Sequence, residues 1–333
     1  MKALLAKDGA AALEEIPVPA IGDGELLLAL EACGLCGTDV MKLDTRAPNA
    51  TLGHELVGRV AKSGPGAPFR EGERVVVSHH VPCRDCHWCR KGQESMCRQF
   101  KATNIEPGGF AEFVRVPALH ARHTTFRVHD DMDPIAASQT EPLACVLRNV
   151  KRLGAEKGDV VGVVGLGAIG QMTGQLLSLL GATPVGLDLD AERVKLFSRW
   201  GRGFADAEAF AQAGRLASGG RGFDAVVYSA GSPALVARSL DWLRDGGAIN
   251  VFASFHPDPT LPLDLNQVYR RELSVVSSYS PSLADLKEAF DLIASRRFDP
   301  LALSPAKFPL SAFGDAVAAV KSRKVLKAVL VPG

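Results

Sequence analysis

Apolar positions along this chain fall into two regimes. Over roughly the first 120 residues they come in short runs punctuated by glycine and proline, as in a β-rich segment. The runs at 2–6, 26–32, 56–61, 74–77 and 110–116 predict strands. From about residue 148 to 280 the rhythm changes. Apolar runs near 160, 184, 224, 247 and 273 alternate with stretches of helical periodicity, which predicts a doubly wound parallel sheet. After Pro281 the pattern predicts a helix over 283–295, another over 312–321 and a closing strand over 325–331. That tail either extends the parallel sheet or returns to the first segment; spacing alone fits both.

The stretch from 159 to 188 carries the most organised signal. Val160, Val161, Val163 and Val164 form a β-branched run suited to a strand buried on both faces. Gly165, Gly167 and Gly170 then supply a G-x-G-x-x-G spacing. The first glycine permits a tight turn, the second a close approach to a pyrophosphate, and the third close helix–strand packing. A helix over 169–180 presents free N–H groups and its positive dipole end to the phosphates. A second apolar run ends in Asp188, where a carboxylate can hold a ribose 2′-hydroxyl and repel the 2′-phosphate of NADP. Strand, glycines, helix, strand and acid in this order predict a Rossmann unit that binds NAD.

Composition narrows the class. At 333 residues the chain can build two domains, and 47% apolar with 23% charged residues is ordinary for a globular protein. A net charge of +1, without a basic block, gives no footprint of a nucleic-acid or membrane-surface binder. The apolar run at the N-terminus is too short for a signal peptide, and the stretch 160–180 is interrupted by five glycines and two glutamines. A cytoplasmic location is expected, and with it seven cysteines used for metal or catalysis rather than disulfides.

Four of those cysteines are local. Cys83, Cys86, Cys89 and Cys97 can close a tetrahedral all-sulfur shell, which suits a structural zinc with no open position. An iron–sulfur cluster competes, since C-x2-C-x2-C also occurs in ferredoxins; the long last spacing and the absence of proline after Cys97 weigh against it. His87 sits inside this loop as a spectator. A second set is scattered: Cys33 and Cys36 with Thr38 and Asp39, then Gly53-His54-Glu55, then Glu141-Pro142. Cys36, His54 and a carboxylate would make three ligands with one open position, as a catalytic zinc requires. Each also has a plainer reading: a buried thiol, a core histidine, a helix cap. Cys33 and Cys36 could instead form a redox pair, although the βαβ context for one is missing. Cys33 and Cys145 have no assigned role beyond buried thiols.

Together these residues resemble the zinc-dependent medium-chain alcohol dehydrogenases, most of all the polyol (sorbitol) and threonine dehydrogenase branch. Gly53-His54-Glu55 with Gly58 and Gly64 is similar to the family's zinc signature, and Cys36-Gly-Thr38-Asp39 to its first-ligand segment. Residues 83–97 are similar to its structural-zinc lobe, and residues 108–113 to the strand after it. Glu141-Pro142-Leu143-Ala144 resembles the segment where this branch places Glu. The likeness runs from about residue 2 to Pro332.

The resemblance implies a GroES-like catalytic domain over 1–147, completed by 281–333, and a Rossmann coenzyme domain over 148–280 with the active site in the cleft. Cys36, His54 and Glu141 would ligate the catalytic zinc, with Glu55 a ligand or an exchanging neighbour. Thr38 would relay the proton of a substrate hydroxyl acidified by that zinc, while the carbinol carbon gives hydride to the nicotinamide. Ile169, Asp188 and Arg193 match cofactor-contacting positions; Val251, Phe252 and Ala253, and Ser278, Tyr279 and Ser280, match turns flanking the nicotinamide. A small alcohol or ketone would be the substrate, no nucleic acid or membrane the partner, and a homodimer or homotetramer the assembly.

Departures bear on the substrate. Cys36 and His54 are 18 positions apart, fewer than is usual in that branch, so a pocket-lining loop is shortened. Lys42 replaces an aromatic residue and Ser280 a polyol-binding arginine, which argues against sorbitol itself. Lys42 and Arg46 could suit a carboxylate or phosphate, although a solvated basic loop is the simpler reading. Two alternatives stand beside this: a reductase working on ketones or aldehydes, and a non-catalytic zinc ribbon binding nucleic acid, against which the near-neutral charge argues.

Overall fold

In a computed structural model the chain is described over residues 1–7, 9–46, 51–254, 260 and 263–333. It opens with an antiparallel pair, β1 (Lys2–Lys7) and β2 (Ala10–Glu15). Then come β3 (Leu26–Gly34), β4 (Glu55–Ser63), β5 (Arg74–Val77), β6 (Phe113–Val116) and β7 (Thr125–Arg127). β3, β4, β5 and β7 pair antiparallel in that order, and β6 lies along the first half of β3. The alternating leucines and valines of these strands face one core, where Leu26, Leu28, Leu56, Val75, Val77 and Phe110 are buried.

A six-stranded parallel sheet follows: β8 (Val160–Val164), β9 (Thr183–Leu187), β10 (Arg202–Phe204), β11 (Phe223–Tyr228), β12 (Leu243–Val251) and β13 (Ser274–Ser277). Its spatial order is β10-β9-β8-β11-β12-β13, so the direction of winding reverses between β8 and β11. That is the doubly wound dinucleotide-binding order, with the reversal at the strand that feeds the glycines. All five residues of β8 are buried, as a strand covered on both faces requires. At the other end, β13 is an edge strand with Val275 exposed.

The tail returns to the first sheet. After the helix Leu283–Ala294, whose start is capped by the Ser282 and Asp285 side chains, β14 (Ala306–Pro309) pairs parallel with β15 (Ala328–Val331). β15 then pairs antiparallel with β3 at Cys33 and Gly34. The chain accordingly forms two compact units, Met1–Ala144 with Pro281–Gly333, and Cys145–Ser280.

Several elements differ from the sequence expectation, each for a local reason. The run 110–116 is not one strand: Ala111 bridges Ala3, and only from Phe113 does the chain pair with β3. β2 went unpredicted because Ala10–Glu15 shows little polar alternation. The closing strand begins at Ala328 rather than 325, and the three residues before it turn inward to deliver Lys327. The helix Gly37–Asp44, which carries Thr38, is not foreseen, and Thr140–Leu153 only in the plainer reading of Glu141 as a helix cap; Glu141 in fact lies inside its first turn.

Candidate metal and coenzyme sites

Cys36 lies two residues beyond the end of β3, at the start of the helix Gly37–Asp44. His54 and Glu55 sit at the entry of the neighbouring β4. Strand pairing therefore brings two sequence-distant segments side by side. One ligand atom from each of Cys36, His54 and Glu55 falls within 4.8 Å of the others. Asp39 fastens the arrangement. Its buried carboxylate accepts the Cys36 N–H at 3.2 Å and the Gly53 N–H at 3.0 Å, and lies 3.4 Å from His54 Nδ1. A carboxylate on Nδ1 fixes the ring's tautomer and leaves Nε2 as the ligand nitrogen. Burial alone would raise the Asp39 carboxyl, but the His54 charge outweighs it and holds the group below its ordinary value.

Behind Glu55 stands Lys327, which contributes the second feature that sequence spacing could not supply. Its Nζ donates to Glu55 Oε1 at 2.6 Å and to the Leu35 carbonyl at 3.2 Å, and lies 2.5 Å from Glu55 Oε2. Both side chains are buried, at 6% and 1% exposure. Burial pushes the Lys327 ammonium down, yet Glu55, Cys36 and Glu141 reverse this and hold it above the usual lysine range. Gly34 gives the Glu55 carboxylate its room, since a Cβ there would overlap Oε2. Glu141 is buried in the first turn of Thr140–Leu153 and outside the 4.8 Å group of three. Thr38 is exposed on the first turn of its helix.

A run of imidazoles borders the site. The His79 ring centroid is 4.7 Å from His54 and 3.9 Å from His80, whose ring in turn lies 4.7 Å from Phe100 at a 45° tilt. Burial, and then the His54 and His80 charges, hold His79 well below its ordinary value, and His80 is lowered to about 4 chiefly by burial. The sequence reading passed over both histidines because they lie just before the first cysteine of the lobe and carry no ligand spacing.

The sulfur atoms of Cys83, Cys86, Cys89 and Cys97 also lie within 4.8 Å of one another. Separations of 3.6 Å and 4.0 Å from Cys89 to Cys86 and Cys83 are far too long for disulfides, and all seven cysteines are free thiols. Backbone N–H groups already point at these sulfurs, from Cys83 to Cys97 and from Cys86 to Cys83, each at 3.3 Å. Burial opposes the Cys97 thiolate, but the N–H groups of Cys83 and Phe100 outweigh it and bring that thiol down to about 6. Burial and then Cys86 push Cys89 up to about 12. Four mutually close sulfurs with N–H donors behind them fit a zinc ion well. Cys33 is buried, whereas Cys145 is only half-buried, contrary to its expected role as a buried thiol.

In the second unit the glycine loop is shaped for a phosphate. Gly165 has φ +85°, and a Cβ there would lie 2.5 Å from that of Ala230. A Cβ on Gly170 would overlap the Gly165 carbonyl, so the helix Ala168–Leu179 packs directly on the turn. Gly167 instead faces open space, with Arg193 Nη1 the nearest atom at 3.8 Å from its would-be Cβ. A diphosphate fits that bare position beside a helix N-terminus and a guanidinium. Asp188 accepts the Leu166 and Asp190 N–H groups at 2.7 and 2.9 Å, with Arg193 3.8 Å away. Buried Gln171 braces the loop by donating to the Leu166 and Arg193 carbonyls, a role the glycine pattern does not show. Ile169 lies on the first turn of the helix; Val251 ends β12, and Phe252 and Ala253 follow it, all three half-buried. The Phe252 N–H bonds Tyr228, Ser278 Oγ donates to Asn149, and Tyr279 is exposed.

Comparison with known proteins agrees with this architecture. The alcohol dehydrogenase GroES-like domain matches residues 22–125 and the zinc-binding dehydrogenase domain residues 168–295. D-altritol 5-dehydrogenase of Agrobacterium fabrum is 31% identical over 82% of each chain. Sorbitol dehydrogenase of Halalkalibacterium halodurans is 29% identical over 100% of this chain and 99% of its own. The crystal structure of a putative zinc-binding dehydrogenase from Sinorhizobium meliloti, bound to NADP, superposes with a TM-score of 0.88 at 27% identity, covering 99% of both chains. The chain belongs to the zinc-dependent medium-chain alcohol dehydrogenase family, in its polyol and threonine dehydrogenase branch. It is an oxidoreductase that uses zinc and a nicotinamide dinucleotide to move hydride between a small alcohol and the coenzyme.

Proposed function

We propose that Cys36, His54 and Glu141 hold the catalytic zinc, with Glu55 beside it, and that Cys83, Cys86, Cys89 and Cys97 hold a structural one. The observation carrying this reading is the convergence of Cys36 and His54 with Glu55 within 4.8 Å, braced by Asp39 and Lys327; Glu141, outside that group, is proposed as ligand on the likeness of residues 141–144 to the family segment. Zinc would supply Lewis acidity toward a hydroxyl, and the nicotinamide the hydride acceptor. The rest falls to the chain's own residues. Asp39 holds the Nδ1 proton of His54 and so leaves Nε2 for the metal, Lys327 neutralises Glu55, and Thr38, exposed on its helix, relays the hydroxyl proton by accepting it as its own passes on to solvent. The same residues serve the reverse reduction of a ketone.

For the coenzyme we propose NAD, held by Gly165, Gly167, Gly170, Ile169 and Arg193 and read at its ribose by Asp188. The turns at Val251, Phe252 and Ala253 and at Ser278 and Tyr279 would border the nicotinamide. Seven free thiols fit a reducing cytoplasm. The exposed edge strand β13, with Val275 48% exposed, supports a homodimer or homotetramer. The test is NAD⁺ and NADP⁺ reduction by zinc-loaded enzyme on a panel of secondary alcohols, before and after chelation. Turnover abolished in Cys36→Ala supports the assignment, whereas a Cys36→Ala protein that keeps full turnover with its zinc bound refutes it.

A further inference from the structure

Gln171 stands inside the helix Ala168–Leu179 with no exposed surface, where a leucine would pack without a buried amide to satisfy. Both polar ends of that amide are engaged. Its Nε2 donates to the Leu166 carbonyl at 3.2 Å and to the Arg193 carbonyl at 2.8 Å, while its Oε1 accepts the Trp200 indole N–H at 3.2 Å. Leu166 lies in the glycine turn, and Arg193 in the separate helix Ala191–Phe197. The other side of the Leu166 peptide is held as well. Its N–H goes to Asp188 Oδ2 at 2.7 Å, and that same oxygen lies 3.8 Å from Arg193 Nη1. The contacts therefore close a ring that runs from Gln171 through Leu166, Asp188 and Arg193 back to Gln171. Two of its members are the carboxylate that faces the ribose position and the guanidinium beside the bare Gly167. Apolar packing does not require the ring. A Cβ on Gly174 would overlap the Phe197 ring, so the two helices already interlock there. The amide adds a fixed relation between the glycine turn and Arg193, which packing of smooth apolar surfaces does not specify.

We propose that Gln171 is a positioning residue for the coenzyme: through the Leu166 and Arg193 carbonyls it holds Asp188 and Arg193 where one dinucleotide meets both, with its ribose and its diphosphate. This rests on the coenzyme site proposed above. Gln171 acts without touching the ligand. Removing its two donors leaves both charged groups in place but lets the turn shift against the helix, so ordering that is now built in would fall to the moment of binding and weaken it.

The probe is ADP-ribose, which carries the diphosphate and the ribose but no nicotinamide, so binding is read without turnover. Calorimetric titration is run on the wild type, Gln171→Met and Trp200→Phe, with the Tm of each ligand-free protein alongside. Gln171→Met keeps the side-chain length and removes both donors. Its Kd should be about tenfold weaker, the size of two lost net hydrogen bonds. Trp200→Phe removes the third bond and leaves the ring closed, so its Kd should stay within about twofold of the wild type whatever its Tm. A Gln171→Met protein that binds within about twofold of the wild type refutes the proposal, because a lowered Tm alone marks a structural brace. Equal losses in the two variants refute it too, since packing and not the carbonyl bonds would then carry the effect. A wild type that does not bind ADP-ribose overturns the coenzyme site and the positioning role together; binding that survives in Gln171→Met overturns the positioning role alone. Should Gln171→Met fail to fold, fluorine NMR of the wild type decides. Fluorotryptophan labels Trp88, Trp200 and Trp242, and the Trp200 resonance is assigned by its loss in Trp200→Phe. A Trp200 resonance moved by more than its linewidth on adding ADP-ribose upholds the ring as part of the site, and an unmoved one overturns it.

Discussion

Replacing Lys327 by Met removes one half of a buried ion pair while keeping most of the side-chain volume. The pair is tight, with Nζ 2.6 Å from Glu55 Oε1, and both partners are almost fully enclosed. At an effective dielectric of about 20 the gross attraction at that distance is about 6 kcal/mol. Desolvation offsets much of it in the intact protein, but removing one partner strands the other charge, which typically costs about 3–5 kcal/mol. For a unit of this size each kcal/mol lowers Tm by about 2–4 °C, so Lys327→Met should melt about 6–20 °C below the wild type. The companion Glu55→Gln/Lys327→Met protein carries no stranded charge and should recover most of that loss, a coupling that a double-mutant cycle reads directly. The loss should also be larger after chelation than with zinc bound, because the metal's charge can stand in for the ammonium. Differential scanning calorimetry of the four proteins, with and without chelator, is the assay. A Tm drop under about 2 °C, or additivity of the two substitutions, would refute the claim that the pair closes the site.

Asp39→Asn should loosen the hold on His54 and lower kcat/KM or zinc affinity about 10- to 100-fold, checked by kinetics together with metal content after dialysis. Cys97→Ser should remove one zinc per chain by atomic emission and lower Tm, while chelator-sensitive turnover, where it survives, reports on the other site. Asp188→Ala should raise the kcat/KM ratio of NADP⁺ to NAD⁺, measured with one fixed alcohol. Glu25 offers a pH test. Its hydrogen bond with Arg115 holds it below the ordinary value of 4.5. A depressed carboxylate gives stability that is complete above 4.5 and is lost as the pH falls through its lower value. The Tm gap between wild type and Arg115→Met should therefore narrow as the pH is lowered from 4.5.

What the sequence disclosed is what spacing along the chain encodes. The three glycines and the four lobe cysteines each span fewer than 20 residues, and their chemistry depends on those intervals. The parallel sheet was legible for the same reason, since five of its six strands contain an apolar run; the three-residue β10, Arg202–Phe204, has none and went unpredicted. The partners of the scattered site were not. Lys327 meets Glu55 across 272 residues, and only the return of β15 to β3 brings them together. His79 and His80 gain their place from strand β5, which ends two residues before them, and no periodicity marks them. Lys42 looked like part of a basic loop because the helix Gly37–Asp44 is short and its apolar residues too few to announce it; residues 47–50 beyond it lie outside the described chain. Glu141 and Asp39 show the converse limit, since a carboxylate's neighbours, unlike its presence, are set by tertiary packing.

The return of β15 to β3 also dictates a schedule for synthesis. Residues 145–280 form a continuous unit that can close as soon as the ribosome has released it. The unit that began first must wait, because residues 281–333 supply two strands of its sheet and the cation for Glu55. Until then β3 shows a bare edge at Cys33 and Gly34, and Glu55 has no counter-charge. The nascent protein thus passes through a stage with a finished coenzyme fold and a first sheet whose edge is still open, which is where a chaperone would be needed most.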